Sequence, residues 1–379
     1  MLDIIVKSIW NKGRAVANEE DFIEMKKHAI AALPANILSE LSLSSDLKSE
    51  WQRVIYQQIG YYAYYKHTEQ TIPLSVPYVI LKGTAAAQYY PTPELRMMGD
   101  IDLMTSRDDY IDALDELIKH GYRIISDKDR ETVLVKNRIL VELHKYFASL
   151  NDPKQAKYLD DLILCNINPS HYLPDTINGL VLLEHISQHL ENGLGLRQII
   201  DWMMFVGKCL PDEKWPEFQE MAQRIGLERL AIVTTRLCEI YLGLPERSWC
   251  AGEDEELCEQ FMDYILACGN FGNKQTCDSS IIKNVFSRAK NPRAAFRLLQ
   301  ERGLVNWRTA QKHRFLRPFA WIYQLGRYFS LGIHRDEAMS KLKEEYKEAR
   351  RRNDMFDKLG VKQTANGLAM YKEGKYVKE

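Results

Sequence analysis

Residues 94–105 read ELRMMGDIDLMT and set two aspartates, Asp100 and Asp102, one residue apart inside an apolar run. Strand interiors usually avoid Asp, whose side chain competes with the ladder and loses hydration on burial. On a strand, residues i and i+2 point to the same side of the sheet. Asp100 and Asp102 would then form a paired acidic surface, with Ile101 and Leu103 packing behind them. Two such carboxylates repel unless a cation sits between them. The stretch therefore predicts a metal site. Its bland alternative is a strand end entering a loop, with both acids solvated.

Outward from this stretch, residues 77–148 read as a small mixed α/β core. YVILKG is a short strand ending at Gly83, and TAAAQYY has helical composition up to the proline-punctuated PTPEL. SRDDYIDALDELIKHGY is an amphipathic helix with Ser106 as N-cap and Tyr110, Ala113, Leu114, Leu117 and Ile118 on one face. YRIIS is a further strand, and ETVLVKNRILVELHKYF reads as two strands joined by a tight turn near Lys136–Asn137.

Glu142, within RILVELHK, supplies a third acid. Leu140, Glu142 and His144 alternate with Val141 and Leu143, so Glu142 faces away from its apolar neighbours. If this hairpin lies beside DIDLMT, three carboxylates converge on one sheet face. Oxygen-only ligands suit Mg²⁺ or Mn²⁺, and a two-metal site with ions ~3.5–4 Å apart serves in-line phosphoryl displacement. Upstream, Gly83 lets the backbone approach a ligand and Thr84 opens a helix whose amides can hold a phosphate. Lys82 is suited to meet triphosphate oxygens as a point charge, and Arg96 to do so bidentately.

LKG followed by a short helix, then P-x-x-R-x-M-G-D-I-D-L, then V-E-L-H, resembles the polymerase-β-like nucleotidyltransferases, most closely a bacterial branch of uncharacterised nucleotidyltransferase family proteins. The resemblance covers residues 77–147. It implies an α/β (α+β) core with a small mixed sheet. It aligns Asp100 and Asp102 with the family's acid pair, Glu142 with its third acid, and Gly83–Thr84 with its glycine motif. Thr84 replaces the usual second Gly or Ser, and Glu142 stands where many members have Asp. LLEHISQHLENGLGLRQIIDW is similar to the segment that follows the core in this branch. His185 and His189, and Arg197 and Asp201, are i,i+4 pairs there. With His144 they are candidates for the substrate cleft. The alternative for the histidines is a packed helix face, and for Arg197–Asp201 a structural ion pair.

The remainder frames this core. Residues 1–75 read as helices, including EEDFIEMKKHAIAAL up to Pro34 and an aromatic-rich helix from DLKSEW to Pro73. Residues 151–352 form a second helical region, with a polar tail at 353–379. A net charge of -1 excludes a global field for nucleic acid or anionic membranes. No apolar run reaches the ~18 residues of a membrane span, and MLDIIVKSIWNKGR has no signal-peptide core. Seven cysteines without CxxC spacing fit reduced thiols in a cytoplasm; Cys250, Cys258, Cys268 and Cys277 match no zinc pattern. Arg302, Arg308, Lys312, Arg314, Arg317 and Arg327, with Trp307, Trp321 and Tyr323, form an acid-free stretch suited to RNA, to a membrane surface, or to a solvated helix face with aromatic core packing.

The expected activity is metal-dependent transfer of a nucleoside monophosphate from an NTP to an unidentified acceptor: a small molecule, a protein or a tRNA. The rival is a catalytically inactive nucleotide- or partner-binding module. The maintained trio of mutually repelling acids argues against it.

Overall fold

The computed structural model describes residues 1–190, 193–269, 292–332 and 338–361, and the chain separates into two compact units, 1–272 and 273–379. The first unit holds a five-stranded mixed sheet of order β1-β2-β5-β4-β3. Its strands are β1 (Tyr78–Leu81), β2 (Ile101–Thr105), β3 (Arg123–Asp127), β4 (Glu131–Lys136) and β5 (Ile139–His144). β2 and β5 run parallel and the other neighbours antiparallel. The expected hairpin is β4–β5. Its two-residue connection, Asn137–Arg138, has φ of 51° and 70°, as a type I′ turn requires to match strand twist. β3 is one of the two edge strands, β1 the other; Ile124 and Ile125 are exposed and its pairing with β4 shifts register between Ile124 and Ser126.

One face of the sheet is apolar. Ile80, Ile101, Leu103, Leu134, Val141 and Leu143 pack with Ala113 and Leu117 of α5 (Tyr110–Lys119), and Tyr65 joins them from α3 (Ser45–Gln70). Ile101 and Leu103 thus lie behind the acidic stretch as expected. Ile118 stays exposed, one position past the buried stripe. Ser106 holds the turn before α5, accepting from the Asp109 amide at 3.1 Å, while Asp109 itself is the N-cap.

Helices cover the rest. α1 is Leu2–Trp10 and α2 is Glu19–Lys27, the latter opened by an Asn18–Asp21 capping box. α2 stops earlier than the sequence suggests: Ala29 takes φ 54°, and Leu33–Asn36 is a separate 3₁₀ turn. The short α4 (Gly83–Ala87) follows β1. α6 (Pro153–Cys165), α7 (Asp175–His189), α8 (Leu196–Cys209), α9 (Trp215–Arg224), α10 (Glu228–Leu242) and α11 (Glu255–Cys268) succeed the sheet. α7 and α8 pack closely because position 179 is glycine. A Cβ there would fall 2.2 Å from the Phe205 ring.

The second unit contains α12 (Pro292–Asn306), α13 (Arg308–Lys312), α14 (Ala320–Gly332) and α15 (Ala338–Lys358). Its aromatic tract is only partly core. Trp307 stacks on Tyr323 with centroids 5.1 Å apart, but Phe315, Phe319 and Ile322 are exposed beside Lys312, Arg314 and Arg317. α15 passes residue 353, with Met355 and Phe356 buried. Cys250, Cys258 and Cys268 are buried, and Cys277 lies outside the described residues. Among the described residues no helix is long and apolar enough to cross a membrane.

Candidate functional site

The site grows from the register of β2 on β5. Parallel pairing sets Asp102 directly beside Glu142, and one step on Met104 lies beside His144. On the polar face of the sheet these side chains meet: one ligating atom each from Asp102, Glu142 and His144 lies within 4.8 Å of the others. Asp102 is buried, and its Oδ1 accepts from Lys82 Nζ at 2.7 Å and from His144 Nε2 at 2.9 Å. His144 Nε2 is also 3.7 Å from Glu142 Oε2. Asp100 precedes β2 and is half-buried.

Lys82 reaches this cluster through an uncommon backbone conformation. It takes φ 52° and ψ −134° between β1 and α4, a strained position for a residue with a Cβ, which costs on the order of 1–3 kcal/mol. Gly83 follows with φ 36°, and a Cβ on it would lie 3.6 Å from the Asp100 carbonyl oxygen. The turn therefore runs against the backbone of the first acid. Strain of this kind persists where the surroundings over-determine it, and functional sites are a common location.

The charges are unequal in consequence. Burial alone would push Asp102 up, but the Lys82 ammonium and the His144 hydrogen bond outweigh it and hold the carboxyl well below its usual range. For Glu142 the opposing Lys82 charge does not outweigh burial. Burial, then Asp102 and Asp100, raise it to about 8. Asp100 is raised first by the Asp102 charge and then by burial. Burial lowers His144 against the opposing pull of Asp102. Asp100 and Glu142, both raised beside an ionised Asp102, are carboxyls that a divalent cation would relieve. The donor set fits one.

Other expected residues stand differently. Arg96 is engaged by Asp201. It is buried, with Nε and Nη2 each 2.7 Å from an oxygen of Asp201, and Tyr90 donates to the same carboxylate at 2.7 Å. The expected Arg197–Asp201 ion pair therefore does not form, because Asp201 belongs to Arg96. Arg197 instead donates weakly to the Met97 carbonyl at 3.3 Å. The Thr84 hydroxyl is turned into a buried cluster of Glu69, Tyr172 and Lys66 under the turn, accepted by Glu69 Oε1 and 3.0 Å from Tyr172 Oη. His185 and His189 do face each other edge-on, with ring centroids 4.7 Å apart. Burial, then the Lys82 charge, pushes both down, His189 to about 4, so they are neutral imidazoles beside the cluster.

Two residues without a motif of their own hold the chain leaving β5. Asp160 Oδ1 accepts from the amides of Phe147 and Ala148, both at 2.9 Å, and Glu184 Oε1 accepts from that of Ser149 at 2.7 Å. The only signal was an acid inside an otherwise apolar helical stretch. Burial, partly opposed by the two amides, lifts Asp160 from 3.8 to about 7. A carboxyl raised on folding keeps its proton in the native state after the unfolded chain has lost it, so stability falls as pH rises from about 4 to 7. Asp160→Asn retains the accepting oxygen and should flatten that fall. Denaturant midpoints of parent and variant across this range measure it, and parallel curves would assign the pH response elsewhere.

The chain belongs to the family described as uncharacterised nucleotidyltransferases, whose model matches residues 16–243. That span includes the sheet and α2 to α10. No curated protein and no solved structure matches the chain.

Proposed function

We propose that the protein moves a nucleoside monophosphate from an NTP to an acceptor hydroxyl or phosphate. The acceptor oxygen attacks the α-phosphorus, the bond to the bridging oxygen of the β-phosphate breaks, and pyrophosphate leaves. The observation that carries this reading is the pairing of Asp102 with Glu142 across adjacent parallel strands in a member of a nucleotidyltransferase family. Asp100, Asp102 and Glu142 would hold divalent cations, Mg²⁺ or Mn²⁺ and two in number by the family pattern. When bound, such ions neutralise charge on the phosphoryl oxygens and lower the pKa of the acceptor.

The chain's own residues do the rest. His144 fixes the orientation of Asp102, and its buried imidazole keeps water from that oxygen. Lys82 neutralises Asp102 and is placed to turn its ammonium to a phosphate oxygen when the acids gain another cation. The Gly83 turn presents backbone, not side chain, to whatever sits over Asp100. Thr84 acts by anchoring the turn to Glu69.

Incubation of the full chain with each α-labelled NTP, Mg²⁺ or Mn²⁺, and fractionated small molecules, protein and tRNA should place label in one fraction with release of pyrophosphate. Labelling equal to that of a Lys82→Ala/Asp102→Asn control with all four NTPs would leave the non-catalytic module as the better account.

A further inference from the structure

The charges around Arg96 and Arg197 do not balance in the way the sequence suggests. Arg96 and Asp201 cancel as a closed pair. One turn before Asp201 on α8, Arg197 has no carboxylate ion-pair partner among the described residues, and its Nε is buried without a hydrogen bond. Its guanidinium lies against Gly99: a Cβ there would be 3.6 Å from Nη1 and 4.0 Å from Nη2. Gly99 is exposed and precedes Asp100 directly, so the fork lies against the segment that leads into the acid cluster. The Lys82 and Arg197 charges both act on the Asp100 carboxylate. Burial, then the like charge of Arg96, makes the Arg197 cation less comfortable than a free one. The neighbouring histidines are neutral and offer it nothing negative.

From this placement we infer that Arg197 is the second cationic grip on the polyphosphate of the nucleotide, opposite Lys82. Arg96, the residue in the sequence motif, is the positioning residue that seats it. The inference rests on the nucleotidyltransferase reading above. The planar fork of Arg197 matches two phosphate oxygens, whereas Lys82 supplies a single compact charge. Arg96 holds α8 to the segment before β2 through two parallel N–H···O bonds, and the helical repeat then brings Arg197 onto the same face, over Gly99. Gly99 presents backbone rather than a side chain to the guanidinium.

Inorganic tripolyphosphate with Mg²⁺, which carries no base, serves as the probe, alongside the four Mg-NTPs and the four nucleosides. Calorimetric titration of the full chain should show the parent binding tripolyphosphate. Arg197→Gln should bind it and the preferred NTP at least tenfold more weakly, with nucleoside binding unchanged. Arg197→Lys keeps the charge but not the fork and should lose less. If Arg197→Gln binds within twofold of the parent while Lys82→Gln has lost tenfold, Arg197 is not the grip and the nucleotidyltransferase reading stands. If the parent binds neither tripolyphosphate nor any NTP, that reading fails and takes this inference with it. Should Arg197→Gln not fold, Arg197→Lys decides: parental affinity at parental melting temperature overturns the inference, and a loss of threefold or more at that melting temperature supports it.

Discussion

Asp102→Asn is expected to lower nucleotidyl transfer by about 10³-fold or more, comparable to or beyond the loss of a preorganised electrostatic partner at a reacting phosphate or carbonyl. One oxygen of Asp102 accepts from both Lys82 and His144 while its carboxylate stands beside Glu142. Asn keeps the shape and removes the charge. Lys82 then faces a neutral amide in a buried place, and the acids lose the member whose ionisation is secure. Melting curves should show that Mg²⁺ or Mn²⁺, with or without NTP, no longer raises the transition. Glu142→Gln should behave differently. Glu142 is 22% exposed and, left without a cation, is raised to about 8, so its charge contributes little to the fold. NTP affinity should stay near the parental value while kcat falls steeply, a loss confined to the transition state. Parental turnover by Asp102→Asn would remove the strand pair from the chemistry. Parental turnover by Glu142→Gln would require a different third carboxylate.

The alternation around DIDLMT and RILVELHK made the acid face legible, because strand periodicity decides sidedness without reference to anything distant. The two-residue turn was legible for the same local reason, Asn137 being tolerant of positive φ. That β2 and β5 are parallel neighbours was not, since adjacency of residues about forty positions apart, such as Asp102 and Glu142, depends on packing. In the sequence His144 is a candidate for the substrate cleft, and the β5 alternation already puts it on the face of Glu142. Its bond to Asp102 needed the register. Partner choice was the least legible of all. Arg96 and Arg197 are both arginines within reach of Asp201, and an i,i+4 spacing favoured the second. The tertiary fold gave Asp201 to the first, with better fork geometry and complete burial. Thr84 was read from its place in a motif, and Glu69, at the end of an aromatic helix with no pattern of its own, took its hydroxyl.

Arg96→Ala and Asp201→Ala are each expected to destabilise the first unit by roughly 3–5 kcal/mol, the range for removing one member of a buried ion pair. Both side chains are almost fully buried, at 3% and 1% exposure, so the survivor can neither hydrate nor find a substitute. Loss of Asp201 also leaves the Tyr90 hydroxyl without its acceptor. Loss of Arg96 leaves a bare carboxylate beside that hydroxyl. Arg96→Lys should recover only part of the stability, because an ammonium cannot supply two parallel bonds from one plane. An apolar pair, Arg96→Met with Asp201→Leu, should be more stable than either alanine variant, since no charge remains buried alone. Denaturant midpoints at constant m measure all of these, and the double-mutant cycle isolates the coupling. Single losses under about 1 kcal/mol would mean the pair behaves as an exposed one. The apolar pair carries a further consequence. It restores packing between α8 and the segment before β2 but not the fork that fixes their register, so its recovered stability should come without recovered affinity for tripolyphosphate. Recovery of both would show that contact alone, not the directed pair, seats Arg197 over Gly99.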